Sequence, residues 1–388
     1  MTNHTPITVS LLIPTLDRSG AEKQLVSLAC GLSRDEFQVE VIALTRGGPL
    51  ETELTQHQIP LTIIGKRHRL DLQALRRLRQ HLASNRPNLL HTWLFAANAY
   101  GRIARTSSPT TRVIVSERCV DSWKRRWQLW IDRRLIARTD QFLANSQAVA
   151  EFYRSVGVAA ERIEVIPNGI DARSVPLAGN GSDHSSLRRE VRDEFHLPHD
   201  AALVTAVGRL AAQKRIDDLI WAIELLGHLA KNAHLLIVGD GPRRQALQQY
   251  AQQAGCQDRV HFAGHRDDVP RIYAASNVAW LASEFEGQSN SLMEAMAAGL
   301  PVVASDIPAN AELVQDGITG HLVPVGDAAE FAKRTARLLD NPVRATQLGQ
   351  AARNRILEHH SIEANIDAHA RLYRRTARQP DPLDRSIA

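Results

Sequence analysis

Residues 203–242, LVTAVGRLAAQKRIDDLIWAIELLGHLAKNAHLLIVGDGP, read as strand, helix, strand. Leu203–Val207 and His234–Val238 are short, nearly continuous apolar runs, the pattern of strands covered on both faces. Between them, Ile216–Leu229 repeats apolar residues at helical spacing: Ile216, Leu219, Ile220, Ile223 and Leu226. Two strands joined by a helix of this length form a parallel βαβ unit.

The same alternation extends in both directions. Downstream, Val260–Phe262, Val278–Leu281 and Pro301–Ala304 read as further strands, with helices Pro242–Ala254 and Ser291–Ala298 between them. Upstream lies an earlier set: Ile7–Ile13, Val39–Leu44, Leu61–Ile64, Leu89–His91, Arg112–Val115, Gln141–Ala144 and Ile163–Ile166. Its helices include Ala21–Leu32, Leu70–Ala83 and Ser146–Val156. The polar stretch Ala178–Ser186 is the most linker-like. With 388 residues, too many for one core, the expected fold is α/β, two tandem Rossmann-like doubly wound parallel-sheet domains. The expected borders are 1–175, 176–362 and a C-terminal helix with a frayed tail, 363–388. Ligand is expected between the carboxyl ends of the two sheets.

Composition narrows the function. Apolar residues make up 44% and charged residues 23%, which excludes disordered, collagenous and integral-membrane chains. No run reaches the length of a membrane span. Met1–Pro14 has no Lys or Arg flank, so its apolar run reads as a first strand and not a secretory signal. Cys30, Cys119 and Cys256 lie far apart, which argues against disulfide and zinc frameworks and for a reducing, cytoplasmic compartment. The net charge of +5 is uneven: residues 1–175 hold 24 basic and 16 acidic side chains, a balance that favours anionic partners for the first half.

The most informative motif is Ser283–Pro301, SEFEGQSNSLMEAMAAGLP. After a strand end, Glu286 and Gly287 lead through Gln288, Ser289, Asn290 and Ser291 into a helix that stops at Gly299 before Pro301. A helix N-terminus is an anion site, and here it lies between Glu286 and Glu294. The plainer reading is that Ser291-x-x-Glu294 is a capping box. Arg209 and Lys214 stand at the end of Leu203–Val207, where two cations suit a leaving diphosphate; the plainer reading is a solvated loop. Gly239-Asp-Gly241 lacks the third glycine of a dinucleotide fingerprint, Arg244 standing there instead. Gly20 opens the first helix, where backbone can approach a ligand, and His91 ends the fourth strand, where a histidine is more often structural. In Trp123–Arg138, WKRRWQLWIDRRLIAR, Trp123, Trp127, Trp130 and Ile131 fall on one stripe and Lys124, Arg125, Arg126, Arg133, Arg134 and Arg138 on the remainder. That composition suits a helix in an anionic membrane interface, or an ordinary core-facing helix with a basic outer side. No metal-bridging Asp-x-Asp, HExxH, Gly-x-Ser-x-Gly or P-loop is found, and no motif supports nucleic-acid binding.

Taken together, these residues resemble the retaining glycosyltransferases of family 4, of GT-B architecture. The resemblance spans nearly the whole chain and rests on Gly20-Ala-Glu-Lys-Gln-Leu25, Pro167-Asn-Gly-Ile-Asp171, Val207-Gly-Arg209 with Lys214, Gly239-Asp-Gly-Pro242, Phe262-Ala-Gly-His-Arg266, Glu286-x7-Glu294 and Ala311-Glu-Leu-Val314. It implies a nucleotide-diphosphate-sugar donor held mainly by the second domain, with no metal and no other cofactor. Arg209 and Lys214 would grip the diphosphate, Glu294 the ribose and Glu286 the sugar hydroxyls. Gly20 would approach the donor phosphates, Gly264, His265 and Arg266 the base, and the last helix would cross back to the first domain. Many members carry a histidine after the fifth strand; here the stretch is Val115-Ser-Glu-Arg-Cys119, leaving Glu117 or Arg118 to substitute. The implied reaction transfers a sugar to an acceptor hydroxyl with retention, for polysaccharide or glycolipid synthesis at the inner face of a membrane. The alternatives are an epimerase of the same fold, a silent nucleotide-sugar or lipid-binding module and, last, a Rossmann dehydrogenase.

Overall fold

The computed structural model describes residues 5–105, 110–121, 124–178 and 182–378. The chain divides into two units, residues 1–169 with 362–388, and residues 170–361.

Unit 1 holds seven parallel strands: β1 (Ile7–Ile13), β2 (Phe37–Ala43), β3 (Leu61–Ile63), β4 (Leu89–Trp93), β5 (Arg112–Glu117), β6 (Gln141–Ala144) and β7 (Ile163–Val165). Their order is β3-β2-β1-β4-β5-β6-β7. β1 is apolar on both faces because both are covered, Leu11 and Ile13 in one core cluster and Leu12 in the other. Helix Ile362–Ala377 closes one face. Its Leu372 and Tyr373 are fully buried in the β1–β2 core.

Unit 2 repeats the plan with β8 (Ala202–Val207), β9 (Ala233–Val238), β10 (Val260–Gly264), β11 (Val278–Leu281), β12 (Val302–Ser305) and β13 (His321–Val323) in the order β10-β9-β8-β11-β12-β13. In each unit the order reverses beside the first strand, between β1 and β4 and between β8 and β11. Ligands of open α/β sheets gather at the carboxyl ends of such a pair. Helix Ile216–Leu229 buries the apolar positions that its spacing marks, Ile216, Leu219, Ile220, Ile223 and Leu226.

One local expectation is corrected, and two elements add to those read from the sequence. β13, three residues long and only partly buried, carries too little apolar pattern to be read as a strand. Much of the linker-like stretch is helix, Ser182–Glu194. Its polar composition hides Val191, which is fully buried in the unit 2 core, with Leu187 packed against that core. A further helix, Pro342–His359, precedes the C-terminal helix, which runs Ile362–Ala377. Residues 179–181 of the linker-like stretch and the tail 379–388 lie outside the described residues. Among the described residues no helix is long and apolar enough to cross a membrane.

Candidate functional site

The carboxyl-end loops of unit 2 are stitched into one rim by backbone. Gly208 N–H donates to Val238 O at 2.9 Å, Leu210 N–H to Asp240 O at 3.0 Å and Gly239 N–H to Gly264 O at 2.7 Å. Gly239 has φ +133°, and a Cβ there would sit 2.0 Å from Gly208 O. The Gly239-x-Gly241 turn therefore serves close packing of two loops, with Gly241 pressed against Leu210 backbone in the same way. On the other side, Glu284 N–H donates to Gln213 O and Gln213 Nε2 donates to Phe285 O at 2.6 Å. Ser305 Oγ donates to Ser283 O at 2.6 Å.

This stitching brings Lys214 and Glu286 together. Lys214 ends a 3₁₀ turn, Ala212–Lys214, and its stem runs over Gly208, 3.3 Å from where a Cβ would stand. Its Nζ donates to Glu286 Oε1 at 2.5 Å, both side chains being largely buried. A Lys–Glu pair this sheltered from water keeps strong electrostatics at the switch point between β8 and β11. Arg209, on the same loop, is exposed.

Helix Asn290–Ala297 follows directly. Its N-cap is Ser289, whose Oγ accepts from Leu292 N–H. The capping-box reading of Ser291-x-x-Glu294 is thus corrected: Ser291 and Glu294 both stand inside the helix, and Glu294 is beyond the first turn. Ser291 O instead accepts from Tyr273 Oη at 2.9 Å, and Glu294 lies close enough for its charge to help burial push the Tyr273 phenol up. The helix start thus directs its partial positive charge to the same rim as Lys214.

Around β10, Gly264 has φ +71° and Arg244 Nη1 would lie 3.2 Å from a Cβ there. His265 is exposed and pairs with Asp267 at 3.6 Å. Arg266 lies at the rim, but its guanidinium grips Asp268 twice at 2.8 Å and Glu194 at 2.7 Å. These carboxylates hold its pKa above the ordinary value.

In unit 1, Gly20 is exposed at the start of helix Gly20–Gly31, beyond β1. His91 is fully buried in β4: Nδ1 meets Tyr373 Oη at 2.6 Å and Nε2 meets Ser116 Oγ at 2.7 Å. Both ring nitrogens are engaged inside the core, and burial holds the ring well below the usual histidine pKa. Glu117, at the end of β5, is buried beside Lys124 Nζ at 3.8 Å. Lys124 also meets Asp121 at 2.7 Å and Asp132 at 2.9 Å. Lys124 is therefore removed from the basic outer face where its spacing had set it; three carboxylates draw it inward. Burial outweighs the lysine's pull on Glu117 and pushes that carboxyl up to about 7.

Ser122 and Trp123 lie outside the described residues, and the helix runs Arg126–Leu135. Trp127 and Trp130 are 37% and 56% exposed, so this stripe does not face the core. Arg69 stacks over Trp127 at 4.3 Å and Arg134 over Trp130 at 5.1 Å. Beside Arg69, Leu70 and Leu72 are 85% and 78% exposed. A hollow of about 450 Å³ is lined there by Arg67, His68, Leu70, Asp71, Leu72, Gln73 and Arg77.

Comparison with known proteins identifies this arrangement. Residues 188–355 match the family described as glycosyl transferases group 1, and residues 18–174 match glycosyltransferase family 4. The chain belongs to glycosyltransferase family 4. Its lipopolysaccharide core biosynthesis relative from Rhizobium meliloti, LpsE, is 31% identical over 60% of this chain and 64% of its own. The alpha-D-kanosaminyltransferase of Streptomyces kanamyceticus is 28% identical over 63% of each chain. The chain thus spans under two thirds of these two relatives. The diphosphoundecaprenol alpha-1,3-galactosyltransferase of Escherichia coli is 27% identical over 78% of this chain and 79% of its own. Anabaena HepE in complex with UDP-glucose superposes with a TM-score of 0.84 at 22% identity, over 94% of this chain and 99% of its own, a likeness of fold. The family-4 chain has the GT-B fold of two α/β units.

Sequence reasoning missed several rim groups of this family-4 chain. Gln213 and Ser305, which tie loops together, are polar residues of ordinary appearance, and Tyr273 is 18 residues from the carbonyl it binds. Arg244 counted only against a dinucleotide fingerprint, yet it bonds the Phe262 carbonyl beside the rim. Its place at a strand's carboxyl end was the available signal.

Proposed function

We propose that this chain transfers a glycosyl group from a uridine-diphosphate sugar to an acceptor hydroxyl, with retention of configuration. The observation that carries the reading is the Lys214–Glu286 pair at the β8/β11 switch point, beside the start of helix Asn290–Ala297. Lys214 and Arg209 would bind the diphosphate, Glu286 would turn to the sugar hydroxyls and Glu294 to the ribose. Gly264 and His265 would flank the base, and the N–H groups of Ser289, Asn290 and Ser291 would face the phosphates. In the reaction the bond from anomeric carbon to diphosphate oxygen breaks and the bond to the acceptor oxygen forms, the acceptor's proton passing to the leaving diphosphate. Charge stabilisation by two side-chain cations and a helix terminus replaces a divalent metal. The uridine base is supported by HepE, whose structure holds UDP-glucose, and by the galactosyltransferase relative, which takes UDP-galactose.

The acceptor is a lipid-linked saccharide at the cytoplasmic face of a membrane, as the relative acting on a diphosphoundecaprenol substrate supports. The contact is the face of Trp127, Trp130 and their arginines, extended by exposed Leu70 and Leu72. Aromatic and aliphatic groups among cations suit anionic headgroups. Co-sedimentation with anionic but not zwitterionic vesicles, lost in Trp127→Ala/Trp130→Ala, is expected; equal binding to both vesicle types contradicts the contact.

A panel of UDP- and GDP-sugars, scored for nucleoside diphosphate release in excess chelator, tests the enzyme reading. Release from a UDP-sugar is expected; a strict need for added divalent metal contradicts the metal-free mechanism, and release from none contradicts the donor.

A further inference from the structure

Unit 1 buries a cation that lacks a counter-ion among the described residues. Arg118 directly follows β5 and is 9% exposed. Successive side chains along an extended chain face opposite ways, so Glu117 turns to the Lys124 cluster and Arg118 to the other face. There its guanidinium carbon lies 4.4 Å from the Trp93 ring centroid, and Nη2 donates to Asn168 Oδ1. Nη1 is buried with no hydrogen-bond partner among the described residues. Burial alone lowers its pKa, to about 9, with no carboxylate acting against it.

Beside it stands a second orphan donor. Trp93 Nε1 is buried without a partner among the described residues, and the Trp93 ring stacks on His369 at 6.4 Å. Among the described residues no carboxylate acts on Arg118. His91 and His369 lie within the field of Arg118, which helps burial keep both rings neutral. A buried polar group is costly to leave unpaired, and a guanidinium without a counter-charge the more so. Arg118 Nη1 and Trp93 Nε1 are both left without an acceptor among the described residues on this face, and a guanidinium suits phosphate oxygens best.

We propose that Arg118 and Trp93, at the carboxyl ends of β5 and β4, form a binding site for a phosphate or diphosphate group of a substrate. Two sources share that chemistry: the donor's own diphosphate and a phosphate carried by the acceptor. Only this choice of source rests on the transferase reading; the site itself rests on the unpaired donors.

The test is titration calorimetry on the full chain with inorganic pyrophosphate, alone and under saturating UDP, for wild type, Arg118→Gln, Arg118→Lys and Trp93→Phe. If the acceptor supplies the phosphate, pyrophosphate binds the UDP-saturated wild type and loses at least about ten-fold in affinity in Arg118→Gln, less in the other two. If the donor supplies it, pyrophosphate competes with UDP, and UDP affinity falls by a similar factor in Arg118→Gln. Either result supports the site. Absence of pyrophosphate binding to wild type in both conditions overturns it. So does a lowered melting temperature in Arg118→Gln with every affinity unchanged, which would assign Arg118 to packing. Should Arg118→Gln fail to fold, Arg118→Lys and Trp93→Phe decide by the same criteria. Arg118-dependent pyrophosphate binding in a protein that processes no nucleotide sugar would sink the transferase reading and leave this site standing.

Discussion

Glu117 and Glu286 each follow a buried strand, and the sequence presents them alike, yet their surroundings differ. Glu286 meets one lysine at the rim of unit 2, whereas Glu117 is sealed among Lys124, Asp121, Asp132 and Arg102. Because its carboxyl rises from 4.5 to about 7, folded Glu117 holds its proton more tightly than the unfolded chain does. Stability is therefore lost as pH rises through that window. Glu117→Gln cannot ionise, so its melting temperature should gain on wild type between pH 5 and pH 7.5; a constant difference in calorimetric scans would contradict the burial argument. The cap of helix Asn290–Ala297 separates two further residues. Ser289→Ala should cost about 1 kcal/mol in chemical denaturation. Glu294→Gln should leave stability near wild type while weakening UDP-sugar binding, and a loss of stability equal to that of Ser289→Ala would restore the capping role. Lys214 and Glu286, which the structure brings together, could be singled out from the sequence because charge at a strand's carboxyl end is itself a signal. Arg118 entered only through the family resemblance, and its pairing with Trp93 was not legible because the two are 25 residues apart in the chain and only the fold brings them into contact.

At the scale of elements, apolar runs and helical spacing were legible wherever burial is complete, as in β1 and helix Ile216–Leu229. They failed at the short edge strand β13, although the equally part-buried β3 and β7 were read, and where one fully buried residue carries the packing, as Val191 does in Ser182–Glu194. Loop packing was illegible for a related reason. Gly239-x-Gly241 reads as a tight strand–helix turn lacking the dinucleotide fingerprint, but its partners, the Gly208 and Leu210 backbone where their Cβ atoms would be, appear only in the fold. Gly239→Ala should therefore destabilise unit 2 and displace the Arg209–Lys214 loop, cutting donor affinity together with stability. A folded Gly239→Ala protein with unchanged UDP affinity would show that the rim does not depend on this contact.

At the scale of the molecule, the restart of the strand–helix alternation after residue 200 made two α/β units legible from sequence. The anchoring of helix Ile362–Ala377 came only as an implication of family resemblance. The physical cause is visible in the Tyr373 hydroxyl bound to His91 at 2.6 Å inside unit 1. A histidine at a strand's end reads equally as a ligand or a bolt until its partner, 282 residues away, is known. The central claim, that Lys214 at the unit 2 rim stabilises a leaving diphosphate, is tested most directly by kcat/KM for UDP-sugar turnover in Lys214→Ala against wild type. Loss of about 2–4 kcal/mol of transition-state stabilisation predicts a fall of roughly 30- to 1,000-fold. A folded Lys214→Ala protein that turns over the donor at the wild-type rate would contradict it.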